Sequence, residues 1–254
     1  MFLTTLLFVP VSGQQTADLW LAEGNNHYTQ GKYDDAIEAY EKALTLDPRF
    51  VAAWGNKAYA LSELSEYEDA IKAFDKAIEI EPQRADIWYG KGIVFNEMGR
   101  YDEAIKAFNK AIEFDPNFVG AWGNKGVALD ELGKQEEAIK MYDKVLELSQ
   151  EDPVAWCNKG NSLCKMGRYE DALKSYDKSI QLNPQLAETC YNKGHMFLAI
   201  GRHEDAIKDF DKAIELDPRH AEAWNDKGIS LRNLGRSDEA MESFNLISVA
   251  LTPY

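Results

Sequence analysis

Asparagine stands at residues 56, 124, 158 and 192, each separated from the next by 34 residues or twice that number. An asparagine amide carries both a donor and an acceptor, so one side chain can pair with both polar groups of a peptide unit. A row of them can hold an extended chain without reading its side chains. The competing reading is a wet helix face on which Asn is merely a compatible polar residue. Six lysines, Lys57, Lys91, Lys125, Lys159, Lys193 and Lys227, follow the same spacing. They could form a track for anions. Packing favours stems lying on apolar surface with heads paired to acidic neighbours.

Catalytic groups are harder to assemble. His27, His195, His203 and His220 belong to no metal-ligand spacing, and His27 and His203 fall at core positions. Cys157 and Cys164 lie seven residues apart on one expected helix. That is about 10 Å along its axis, beyond disulfide reach. Cys190 takes a position otherwise held by Trp, so buried packing is its expected role. Acidic pairs such as Asp34-Asp35 could serve as general acid and base, but they recur at the start of each second helix, where carboxylates favour the helix dipole. No G-x-S-x-G or similar nucleophile motif occurs. The sequence therefore predicts no enzyme, no cofactor and no metal.

The positioning elements follow from the period. Residues 17–254 divide into seven repeats of 34: 17–50, 51–84, 85–118, 119–152, 153–186, 187–220 and 221–254. Position 4 holds every Trp of the chain, with Cys190 in the sixth repeat. Position 8 is Gly except for Ala58, and position 15 is Gly except for Ser65. Position 20 is Ala throughout, and position 24 is always Tyr or Phe. Position 32 is Pro except for Gln150 and Thr252. This pattern predicts two helices per repeat. Helix A covers roughly positions 1–14 and is closed by a left-handed glycine. Helix B starts near position 18 and is stopped by the proline. Pairs such as Glu68–Lys72, Asp102–Lys106, Glu136–Lys140, Glu170–Lys174 and Glu204–Lys208 are expected to support helix B at i, i+4. Small residues at positions 8 and 20 let the two backbones approach, with the Trp and the position-24 ring filling the space around that contact.

The pattern W-x-x-x-G…G-x-Y-x-x-A-x-x-x-[YF]-x-x-A…P resembles the tetratricopeptide repeat family over 238 of the 254 residues, seven repeats of 34. The departures are local. Cys190 replaces Trp; Gln135, His203 and Ser237 replace a Tyr; Val145, Ser179 and Ile247 replace an Ala. Pro153 sits one residue late, so the junction of repeats 4 and 5 is expected to stack least regularly. The resemblance implies an all-α fold, a right-handed α-solenoid (superhelix) of antiparallel helix pairs, with helices A lining a concave groove. It also implies which helix-A positions face that groove: 2, 5, 6, 9, 12 and 13. Position 6 carries Asn56, Asn124, Asn158 and Asn192, which are similar to the asparagine ladder in the repeat domain of O-linked N-acetylglucosamine transferases. Tyr28, Tyr59, Tyr89 and Tyr191 interleave as expected contact anchors. The carboxylate clamp of chaperone-binding repeats needs groove cations. Position 2 offers Asp18, Ala52, Asp86, Gly120, Val154, Glu188 and Glu222, without one. Asp18, Glu63, Asp86, Glu97, Asp130 and Glu131 make the first half of the groove acidic.

Composition bounds the partner. The chain is 45% hydrophobic and carries 28 basic against 43 acidic residues, a formal net charge of −15. That is ordinary for a folded chain, and it disfavours nucleic acid and anionic lipid. A neutral to basic extended protein or peptide segment fits better. Residues 1–16 lie outside the repeats. Met1–Val11 is apolar and Val11-Ser12-Gly13 is small, which reads as a short secretory signal cut near Gly13–Gln14 and so as an exported protein. No Lys or Arg precedes Lys32, and the other reading is a disordered tail on a cytoplasmic protein. The stretch is too short for a transmembrane helix. After the last repeat no polar helix follows, so Met241, Ile247 and Leu251 are expected on an open edge available for self-association. The expected function is a non-enzymatic interaction scaffold holding a peptide in its groove; the alternative is an assembly element acting through the C-terminal repeat.

Overall fold

A computed structural model describes residues 16–250, and side chains through Ile247. The secretory-signal reading of Met1–Gly13 and the edge residue Leu251 lie outside the described residues. Among the described residues there are fourteen helices and no strand. Helices A begin at the first position of each repeat and run thirteen residues: α1 (Ala17–Thr29), α3 (Val51–Glu63), α5 (Ala85–Glu97), α7 (Val119–Glu131), α9 (Pro153–Lys165), α11 (Ala187–Ala199) and α13 (Ala221–Asn233). Helices B begin at position 17 and run fourteen: α2 (Tyr33–Leu46), α4 (Tyr67–Ile80), α6 (Tyr101–Phe114), α8 (Gln135–Leu148), α10 (Tyr169–Leu182), α12 (His203–Leu216) and α14 (Ser237–Ala250). The helices form two compact bodies, one ending at Pro116 with α1–α6, the other starting at Asn117 with α7–α14. Each body is an α-solenoid of antiparallel helix pairs.

The turn after helix A is made as expected. Gly31, Gly99, Gly133, Gly167, Gly201 and Gly235 all adopt φ between 70° and 76°. Ser65 is driven to the same region, at φ 61°. Each N–H following this residue reaches back to a helix carbonyl, as in Lys134 N to Leu129 O at 2.9 Å.

The core is carried by positions 20 and 24. The position-20 alanines and the rings of Tyr40, Phe74, Phe108, Tyr142, Tyr176 and Phe210 are buried. The position-8 glycine makes room chiefly for that ring, and at Gly194 also for the backbone carbonyl of Ala206. A Cβ on Gly160 would lie 2.6 Å from Tyr176 Cε1, and one on Gly92 would lie 2.5 Å from Phe108 Cε1. The tryptophans correct one expectation, since they are only half-buried. In Trp54, Trp88 and Trp224 the indole N–H donates to the carbonyl of the preceding Pro48, Pro82 or Pro218 at 2.8–3.1 Å. Three of the expected i, i+4 pairs give way to i, i+3 pairs, Lys72–Asp69 at 2.7 Å, Lys174–Asp171 at 3.6 Å and Lys208–Asp205 at 3.4 Å, while an i, i+4 pair stands at Lys42–Glu38 at 2.6 Å. In α10 and α12 the same first-turn carboxylate also takes the arginine ahead of the helix, Asp171 with Arg168 at 2.7 Å and Asp205 with Arg202 at 2.5 Å.

The 4/5 junction is more regular than expected. Helices α8 and α9 keep the common lengths, and Asp152 Oδ1 accepts from Val154 N and Ala155 N as an N-cap. The irregularity is confined to Trp156, whose buried Nε1 has no partner where Gln150 replaces the proline.

Candidate functional site

The lysines at position 7 resolve first, because they prove structural. Lys57, Lys91, Lys159, Lys193 and Lys227 pair with Glu41, Asp75, Asp143, Asp177 and Asp211 of the preceding helix B at 2.5–2.8 Å. Lys57, Lys91, Lys125, Lys159 and Lys227 also lie over their own repeat's indole, 5.2–5.8 Å from its centroid. Lys125 makes no ion pair among the described residues, and burial lowers its pKa. No anion track exists here, because the ammonium groups close seams between repeats.

The asparagines line grooves on the helix-A side. In the second body an open groove of about 460 Å³ is lined by Asn158, Asn161, Asn192, Asp130, Glu131 and His195, among others. Asn158 is half-buried, and its amide makes no hydrogen bond among the described residues. Asn192 gives Nδ2 only to the Cys157 sulfur at 3.6 Å, a weak acceptor. Asn124 turns back to its own helix, donating to Gly120 O at 3.0 Å. In the first body a smaller groove of about 230 Å³ is lined by Asn25, Tyr28, Thr29, Tyr40, Asn56 and Tyr59. Asn56 Nδ2 donates to Asn25 Oδ1 at 2.7 Å, which also accepts from the Tyr40 hydroxyl at 2.9 Å.

The tyrosine anchors are half-buried and committed. Tyr28 OH donates to Glu63 at 3.2 Å, and burial with that carboxylate pushes its pKa up to about 12. Tyr59 packs edge-on against Phe74 at 5.2 Å, and burial pushes its pKa to about 12 as well. Tyr89 leans on Phe108 at 6.0 Å, with its pKa raised by burial. Tyr191 lies between Phe210 and His220, and its hydroxyl donates to Asp226 at 3.2 Å. Burial and that carboxylate raise its pKa.

The acidic groups differ in availability. Asp86 is held by Arg84 at 2.6 Å, which keeps its carboxyl below the usual range. Glu97 accepts from Ser62 at 2.9 Å. Asp130 is buried and accepts from Tyr142 at 3.0 Å and from Ser162 at 2.7 Å. Sequence reasoning missed the hydroxyl partnerships under the grooves: Tyr40 with Asn25, Tyr142 with Asp130, and Tyr176 with Asn161 at 2.8 Å. The signal was present. Position 24 is Tyr in repeats 1, 4 and 5, with Asn25 and Asn161 at position 9 and Asp130 at position 12 of the same repeats, although Asn96 at position 12 of repeat 3 accompanies a Phe at position 24. It also missed His195 Nδ1 facing Asp226 at 3.0 Å. All three cysteines are free thiols whose pKa burial raises.

Repeated helix pairs with a groove on the helix-A side within each body define a helical-repeat scaffold for protein interaction. Models described as tetratricopeptide repeat match residues 21–85, 85–118, 107–140, 153–186, 187–220 and 210–242, and one described as TPR repeat matches 130–167. The chain belongs to the tetratricopeptide repeat family. No curated protein sequence matches it. Among solved structures it is similar to YrrB, described as a TPR protein with an unusual peptide-binding site, at 28% identity over 74% of this chain and 96% of that one, with a TM-score of 0.58. MamA matches at 24% identity over 65% and 96%, with a TM-score of 0.60. A tetratricopeptide repeat protein from Parabacteroides merdae matches at 14% identity over 94% and 100%, with a TM-score of 0.75. Among the described residues no helix is long and apolar enough to cross a membrane.

Proposed function

We propose that the chain is a non-enzymatic scaffold that holds an extended, neutral to basic polypeptide segment against its helix-A grooves. The observation that carries this reading is the groove of repeats 4–6. There Asn158, with an uncommitted half-buried amide, and Asn192, with a weakly committed one, stand one repeat apart beside Asp130 and Glu131. A half-buried amide without a partner is poised to exchange water for a peptide group. The peptide-binding site named for YrrB, 28% identical to this chain, supports the same reading. Each neutral hydrogen bond adds about 0.5–1.5 kcal/mol. Ordering a flexible peptide offsets a comparable sum, so the ladder alone supports affinities of roughly high-micromolar to millimolar. The test is capture of a blocked-end peptide library by wild type and by an Asn124→Ala, Asn158→Ala, Asn192→Ala variant. Loss of capture is expected, and equal capture by both removes the ladder.

A second reading, assembly through the last repeat, is favoured by Met241, which is 62% exposed on α14. Light scattering across a concentration series decides it, since a strict monomer ends the reading. Export is proposed on the Met1–Gly13 pattern, and a precursor of unchanged mass in the secreting host's cytoplasm would refute it.

A further inference from the structure

We infer that the groove of repeats 4–6 contains a subsite for a lysine or arginine side chain of the held segment, with Asp130 as its counter-charge. The inference rests on the peptide-holding reading above and names a side chain that the segment must carry.

Two carboxylates are buried among the described side chains, Asp130 and Asp226. Asp226 has a basic partner, His195, at 3.0 Å. Asp130 has none. Its hydrogen bonds come from two neutral hydroxyls: Tyr142 to Oδ2 at 3.0 Å, and Ser162 to Oδ2 and Oδ1 at 2.7 and 2.9 Å. A carboxylate offers about four acceptor sites, so these donors leave capacity unused and the charge unbalanced. Burying a charge without an opposite one is costly. Burial accordingly pushes the Asp130 carboxyl up from its ordinary range.

The groove onto which Asp130 opens sharpens the choice of ligand. Glu131 on the same wall adds a second negative charge, while Lys165, which also lines the groove, acts on Asp130 only from beyond ion-pair distance. Several other acids at the grooves and seams do have a cation in contact. Asp86 has Arg84, and five acids of the helices B have the position-7 lysines. Asp130 has no cation within ion-pair distance, and a cationic side chain of the held segment would supply one. Asn158 and Asn192, on neighbouring repeats of the same groove, are the groups proposed to take the backbone of the segment that delivers it.

The experiment uses the full chain and a library of random octapeptides with acetylated and amidated ends. Captured peptides are sequenced. The best one and its analogue with norleucine replacing the cation are titrated by fluorescence anisotropy against wild type, Asp130→Asn and the triple asparagine variant. Lys or Arg is expected to dominate one peptide position. The norleucine analogue is expected to bind wild type about tenfold more weakly, as for loss of one charged hydrogen bond. Asp130→Asn should bind both peptides alike. The wild-type comparison stands whether or not Asp130→Asn folds. Captured peptides without a preferred cation, or a norleucine analogue that binds wild type equally, overturn the subsite and leave the groove reading intact. Failure of wild type to capture any peptide, or capture unchanged in the triple variant, overturns the groove reading and the subsite with it.

Discussion

The turn after helix A offers a reciprocal experiment on one backbone angle. Six repeats place glycine there at φ 70–76°, and the second repeat places Ser65 at φ 61°. A Cβ added at Gly133 meets nothing within 4 Å, so any penalty for a side chain there is conformational and not a clash. Left-handed backbone costs an L-residue about 1–2 kcal/mol. Replacing Gly by Ala also removes freedom from the unfolded chain, which returns about 0.4–1 kcal/mol. The difference predicts that Gly133→Ala destabilises by about 1 kcal/mol. By the same reasoning Ser65→Gly stabilises by about 0.5–1 kcal/mol. Urea unfolding followed by far-UV circular dichroism reads both. Helical arrays unfold in stages, so midpoints are compared for one probe within each variant pair. If Ser65→Gly lowers the midpoint, or Gly133→Ala leaves it unchanged, the backbone angle is not the reason for glycine at this turn.

Asp152→Ala removes the side-chain cap of α9 and should cost about 1 kcal/mol in the same assay. Lys159→Met, which keeps a long apolar stem near Trp156 but deletes the ion pair with Asp143, should change stability by under about 0.5 kcal/mol, whereas Lys159→Ala should cost more. His195 should titrate above an ordinary histidine, because the Asp226 carboxylate accepts from it and favours its charged form. Its raised folded pKa makes its contribution to stability complete below the unfolded pKa, and that contribution is lost as pH rises through the folded value. Proton NMR of the imidazole should show Asp226→Asn returning the midpoint toward the ordinary value; an unmoved midpoint would sink the pairing.

Much of the fold was legible because the repeat multiplies every signal. Glycine at position 15, Ala at position 20 and a ring at position 24 recur at one spacing, and each has a single packing reason. The half-exposed tryptophans were less legible. Indole size argues for burial, yet its N–H needs a carbonyl, and the preceding loop supplies one at the surface. Some helix-B ion pairs were misassigned because a lysine can reach either i−3 or i−4; in α10 and α12 the choice fell to the carboxylate already oriented by the arginine ahead of the helix. At the grooves, the asparagine row was visible as a spacing, but the commitment of individual amides was not. Asn56 and Asn124 spend a donor inside the protein because Asn25 and the Gly120 carbonyl happen to lie within reach, a fact of local geometry that no single position encodes.

The lysine at position 7 has a consequence for how such an array changes length. The same ammonium-to-carboxylate latch, from one repeat to the helix before it, closes five seams. Removing repeat 5 or 6 in frame would therefore bring together a lysine and an acid that already match, Asp143 with Lys193 or Asp177 with Lys227, whereas removing repeat 4 would set Asn109 against Lys159 and leave that joint without its acid.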